Sequence, residues 1–101
     1  MSNTAWEMFA VDFQKSISNV HDFKVHADNR GIYILTSRGH IDVEHRNAVI
    51  RKTVDGLGHT PFLTGVYSAY FTLEGRTVFV DVTMLDGTRK ERNFAIGLNA
   101  K

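Results

Sequence analysis

At 101 residues the chain has the length of one domain. Its 43% hydrophobic and 23% charged content is that of a folded globular protein and excludes disorder for the bulk of the chain. Twelve Lys and Arg against eleven Asp and Glu leave a formal +1, too little to attract a polyanion, and zero cysteines exclude disulfides, thiolate metal sites and cysteine nucleophiles.

The first element is a helix over about residues 4–19. Trp6, Phe9, Ala10, Phe13, Ile17 and Val20 recur at helical spacing and form one apolar stripe. Thr4 and Glu7 have the spacing of a capping box, and Asn19 is a stop. Glu7, Asp12 and Lys15 interrupt the apolar positions, so the segment is not a signal peptide. Its role is to lid the core. Past Asp22 the period changes to two. Phe23, Val25 and Ala27 alternate with Lys24 and His26, residues 32–36 form a second strand, and Ile41 and Val43 alternate with His40, Asp42 and Glu44. Turns at residues 28–31 and 37–39 join these runs into an antiparallel meander over about residues 23–46.

Residues 47–57 fit two templates. Val49, Ile50, Thr53 and Val54 favour a strand, whereas Ile50, Val54 and Leu57 keep helical spacing between a cap at Asn47 and a stop at Gly56 or Gly58. The reading leans to strand. Residues 58–64 read as a loop around Pro61. The 18 residues 56–73 lack Asp, Glu, Lys and Arg, but hold one proline, three glycines, three threonines and a serine, too polar for a bilayer span.

A second meander covers about residues 65–96, with turns at Glu74-Gly75 and Asp86-Gly87. A two-residue turn at Glu74-Gly75 puts Tyr67, Ala69, Phe71 and Leu73 with Val78, Val80, Val82 and Met84 on an apolar face toward the helix. The opposite face is mixed: Val66, Ser68, Tyr70 and Thr72 beside Thr77, Phe79, Asp81, Thr83 and Leu85. A two-residue turn at Asp86-Gly87 adds Lys90, Arg92, Phe94 and Ile96 to the mixed face, with Asp81 opposite Arg92. A three-residue loop with a glycine bulge sends Phe94 and Ile96 to the helix side instead. The whole is a single α+β domain over 1–101: an N-terminal amphipathic helix packed on an antiparallel sheet of five to six strands in two β-meanders, open, strongly curved or barrel-like.

The mixed face carries the functional expectation. In the first register Tyr70, Phe79 and Phe94 cluster beside Arg92, more aromatic surface than a monomer leaves in water. The first meander, a second copy in a homodimer, or another protein can cover it. The leading expectation is a non-catalytic adaptor or inhibitor of a larger cytoplasmic protein machine, binding a partner protein through Tyr70, Phe79, Arg92 and Phe94. The alternative is a nucleic-acid-binding module that adds Arg76, Arg89 and Lys90, although a stacking motif is absent and acids are interleaved with the bases. His26, His40, Asp42 and Glu44 offer imidazole and carboxylates on neighbouring strands for a metal or for acid–base chemistry, but positions i and i+2 on a strand stand about 7 Å apart, so a polar outer face is expected. No nucleophile elbow or phosphate cradle is present. The expectation is no enzyme, no cofactor, no metal and no membrane partner.

Overall fold

The computed structural model describes residues 3–99. Helix α1 (Asn3–Ile17) buries Trp6, Phe9, Ala10, Phe13 and Ile17, the stripe expected from its spacing. Trp6, Phe9 and Phe13 run along the helix with ring centroids 5.3 and 5.7 Å apart, and Phe13 reaches on to Phe94 at 4.9 Å and Phe71 at 5.9 Å. Full burial of such side chains contributes about 1.5–3 kcal/mol each, which is why the helix stays docked. The capping box is not what Glu7 serves: Thr4 lies inside the helix, and the Glu7 carboxylate reaches across to Arg92.

Strands β1 (Asp22–Val25), β2 (Gly31–Thr36), β3 (Gly39–Arg46), β4 (Val49–Val54) and β5 (Leu57–Thr64) form one antiparallel sheet in chain order. The ambiguous segment is a strand. Asn47–Ala48 and Asp55–Gly56, all with positive φ, make tight two-residue turns at both of its ends, and the hairpins override the helical spacing. The expected loop at 58–64 is also a strand, a correction with a clear cause. Pro61 has no N–H to give, but β5 lies at the sheet edge and pairs only with β4, and two register shifts absorb the proline and the glycine.

Strands β6 (Val66–Glu74), β7 (Thr77–Met84) and β8 (Arg89–Ala95) form a second antiparallel sheet. The sequence foresaw five to six strands, and the described residues form eight, split between two sheets that do not close into a barrel. The apolar stripe of α1 and one face of each sheet share a single core, built from Ile32, Val43 and Ile50 on one side and Phe71, Val80 and Phe94 on the other. The segment after β8 meets the end of α1: the Gly97 N–H donates to Ile17 O at 2.8 Å, and the Val20 N–H donates to Gly97 O at 2.9 Å. The expected domain of 1–101 runs past this frame, since residues 1, 2, 100 and 101 lie outside the described residues. Among the described residues, no helix is long and apolar enough to cross a membrane.

Register decides which side chains reach the outside of the second sheet. The first turn falls at Gly75–Arg76, one residue later than expected. Sliding a two-residue turn by one position leaves the faces unchanged, so Ala69, Phe71, Leu73, Val78, Val80, Val82 and Met84 share the inner side as foreseen. A bulge between Val66 and Ser68 then exchanges two residues. Val66 is buried opposite Met84, and Tyr67 is 69% exposed, the reverse of the alternation. At the second turn the three-residue loop forms. Gly87 adopts φ +88, and the Met84 N–H donates to Thr88 O at 2.8 Å. Phe94 pairs with Val78 and lies only 4% exposed beneath the helix.

Candidate functional site

The outer face of β6–β8 is built from four cross-strand rows, one of them Glu74, Thr77 and Ala95. Tyr70, Asp81 and Glu91 lie side by side, then Thr72, Phe79 and Asn93, then Ser68, Thr83 and Arg89. Tyr70 and Phe79 are diagonal neighbours, a spacing within reach of two aromatic rings. Tyr70 is 56% exposed and Phe79 38%. They line a shallow depression of about 590 Å³ with Thr72, Glu74, Glu91 and Asn93. The first meander does not cover this face, because its apolar side is spent on the shared core. Of the three ways to cover it, closure within one chain is therefore corrected.

The four-residue anchor set does not assemble. Tyr70 and Phe79 lie outside, whereas the third residue in the loop turns Arg92 and Phe94 to the helix side. There Arg92 makes a two-pronged pair with Glu7, Nη1 to Oε1 at 3.0 Å and Nη2 to Oε2 at 2.7 Å, with its guanidinium 5.8 Å from the Trp6 ring centroid. The hydrogen bond from Arg92 holds the Glu7 carboxyl below its ordinary value. Phe94 packs edge-on against Phe13. Both residues fasten β8 to α1.

The basic set is likewise dispersed. Arg89 lies on the outer face and grips Asp81, Nε to Oδ1 at 3.0 Å and Nη2 to Oδ2 at 2.5 Å, and this bond lowers the Asp81 pKa. Lys90 Nζ donates to Asn3 Oδ1 at 2.9 Å on the helix side. Arg76 occupies the turn at the other end of the β6–β7 hairpin. The three cations form no patch.

The first sheet's outer face gathers the other set in part. Tyr33 pairs with Asp42, and Glu44 lies between Gly31 and Arg51 across the strands. His26 follows the end of β1 and turns over them: Nε2 stands 2.7 Å from Asp42 Oδ1, Nδ1 stands 3.8 Å from Glu44 Oε2, and the ring stacks on Tyr33 at 4.0 Å. Burial raises the Asp42 pKa, with His26 opposing. His40 is separated from this group. It sits opposite Leu35, and its backbone N–H donates to Asp55 at 2.8 Å. One ligand atom each from His26, Asp42 and Glu44 lies within 4.8 Å of the others, close enough to share an ion, but Arg51 stands 3.7 Å from Glu44 and already supplies positive charge. Chemically the group is a closed ion-pair and stacking network. The alternation put Asp42 and Glu44 on one face, but the stacking of Tyr33 on His26 had no signal in the sequence.

Residues 1–90 match the model of the family described as "Putative Competence protein ComGF", a span that runs from the helix to the first residues of β8. No curated protein and no solved structure matches the chain.

Proposed function

The chain belongs to the ComGF family of competence proteins, and from that membership we propose that it is a non-catalytic, adaptor-like component of competence that docks onto another protein of the DNA-uptake apparatus through the outer face of β6–β8. The observation that carries the reading is the pair Tyr70 and Phe79, exposed on a sheet face that nothing among the described residues covers. Aromatic side chains on a rigid sheet are the usual anchors of a protein interface, since they bring large area at low entropic cost. The three-stranded sheet holds them in place from behind through Val78, Val80 and Val82. The dispersed cations give the nucleic-acid alternative no comparable support.

Uptake of external DNA begins at the cell envelope, whereas composition led to a cytoplasmic location. The proposal places the chain with the uptake apparatus. Fractionation of cells making the tagged full-length gene product tests that part, and recovery in the cytosol alone restores the cytoplasmic expectation.

The docking reading is tested by a photo-crosslinking amino acid at position 70 in competent cells, together with the Tyr70→Ser, Phe79→Ser double variant. The expected result is an adduct with a second protein of the apparatus, and transformation reduced about tenfold or more at an unchanged protein level. An adduct with DNA overturns it in favour of the nucleic-acid module, and an adduct with a second copy makes the face a homodimer interface. Undiminished transformation by the double variant overturns it outright.

A further inference from the structure

We infer that the β6–β8 face takes a cationic protein segment, one that sets an arginine or lysine beside an apolar side chain; this rests on the docking reading above. The whole chain is close to neutral, but this face is not. Asp81 lies beside Tyr70, and Glu91 and Glu74 stand diagonal to Phe79 on the two neighbouring strands. The Arg92 guanidinium, whose residue borders the depression, is turned away to Glu7. One guanidinium on the face, that of Arg89, is committed to Asp81 and stands 3.8 Å from Glu91. Three carboxylates against one guanidinium leave the face with a surplus of negative charge. Glu74 has no ion-pair partner among the described residues, and Glu91 keeps most of its surface in water.

Aromatic faces ringed by carboxylates have a definite chemical preference. The ring quadrupole attracts a cation, and the carboxylates add charge and hydrogen-bond acceptors. A guanidinium lying over Tyr70 or Phe79 reaches both kinds of group from one position, while its neighbouring apolar side chain fills the shallow depression. Phosphates meet the opposite situation, because the carboxylates repel them and Arg89 is already occupied. The charge therefore chooses between partner classes that the exposed aromatics alone leave equivalent.

The test maps backbone amide shifts of the isotopically labelled protein with three probes: a peptide alternating arginine and leucine, the same peptide with glutamate for arginine, and a single-stranded oligonucleotide. The expected result is that only the arginine peptide shifts Tyr70, Phe79 and Glu91. Its binding weakens about tenfold in the Glu74→Lys, Glu91→Lys double variant, and several-fold between about 50 and 300 mM salt. Equal or stronger perturbation of this face by the glutamate peptide or the oligonucleotide overturns the inference, as does no perturbation of it by any probe. Those outcomes leave the docking reading standing, since that falls on a different result, either an adduct of position 70 with DNA or undiminished transformation by the Tyr70→Ser, Phe79→Ser variant.

Discussion

The outer faces of the two sheets are built from similar residues, aromatic, acidic and basic, and reach opposite ends. On the first sheet the polar groups around His26 find neighbours: His26 bonds Asp42, Tyr33 stacks on His26, and Glu44 lies within ion-pair distance of Arg46 and Arg51. On the second sheet Arg89 and Asp81 close one pair, but Tyr70, Phe79 and most of Glu91 face solvent. A mixed sheet face can thus be a finished surface or an unfinished one, and composition does not separate them. The difference lies in cross-strand placement. A histidine lands beside two carboxylates in the first sheet, whereas two aromatics land diagonally with carboxylates around them in the second.

The sharpest way to break this comparison is at Phe94. In the alternative register it belongs to the outer face and its loss is nearly neutral. Under the helix, Phe94→Ala is expected to cost about 3–5 kcal/mol of stability, read by urea unfolding. A cost within about 0.5 kcal/mol would return it to the surface and overturn the register. Next comes Gly31, which lets β2 and β3 approach closely behind the His26 network. A Cβ there would collide with the Val43 carbonyl oxygen and with Glu44. Gly31→Ala is expected to destabilise by about 1–3 kcal/mol, because the obstruction is backbone that cannot swing away. Unchanged stability would mean that the strands have room to separate.

Much of this fold was legible in the residues. The helix stripe, the strands of the first meander and the apolar face of the second follow from spacing alone, because burial enforces a period. What spacing could not supply was parity. One bulge at Val66–Ser68 exchanged the faces of Val66 and Tyr67, and one extra loop residue at Gly87 carried Arg92 and Phe94 across the sheet. Half of the expected anchor set was displaced by that single residue. Tyr70 and Phe79 kept their face because they lie between the bulge and the loop, on strands whose shared turn moved without changing parity. Residues 58–64 escaped because a proline and a glycine weaken a strand signal, and an edge position tolerates them.

A smaller effect compares the two outer faces directly. His26→Ala removes a hydrogen bond to a half-buried carboxylate and the stacking on Tyr33, and is expected to cost about 1–2 kcal/mol. Phe79→Ser, on the second sheet, is expected to cost less, about 0.2–1 kcal/mol, since it gives up only strand preference and its contact with the diagonal Tyr70. Urea unfolding of the two variants under one set of conditions measures the contrast. A larger cost for Phe79→Ser than for His26→Ala would mean that the second face is the one closed within the chain, and both functional proposals would lose their support.

The smallest effect distinguishes the faces by the sign of a pH slope. Burial raises the Asp42 pKa, so over the range between its ordinary and raised values the folded state keeps a proton that the unfolded state has released. Its contribution to stability therefore falls as pH rises through that range. Asp81 is the reverse. The bond from Arg89 lowers its pKa, so its contribution is present above the ordinary carboxylate value and is lost as pH falls through the lowered one. Asp42→Asn and Asp81→Asn each remove one of these contributions. Between about pH 3 and 5.5, below the ordinary imidazole range, the stability of Asp42→Asn relative to the unsubstituted protein is expected to improve with rising pH, and that of Asp81→Asn to worsen. Unfolding midpoints in urea at three pH values suffice. If both differences move in the same direction, the first face is not the desolvated, internally paired surface that its geometry describes, and the contrast with the open second face rests on the exposed aromatics alone.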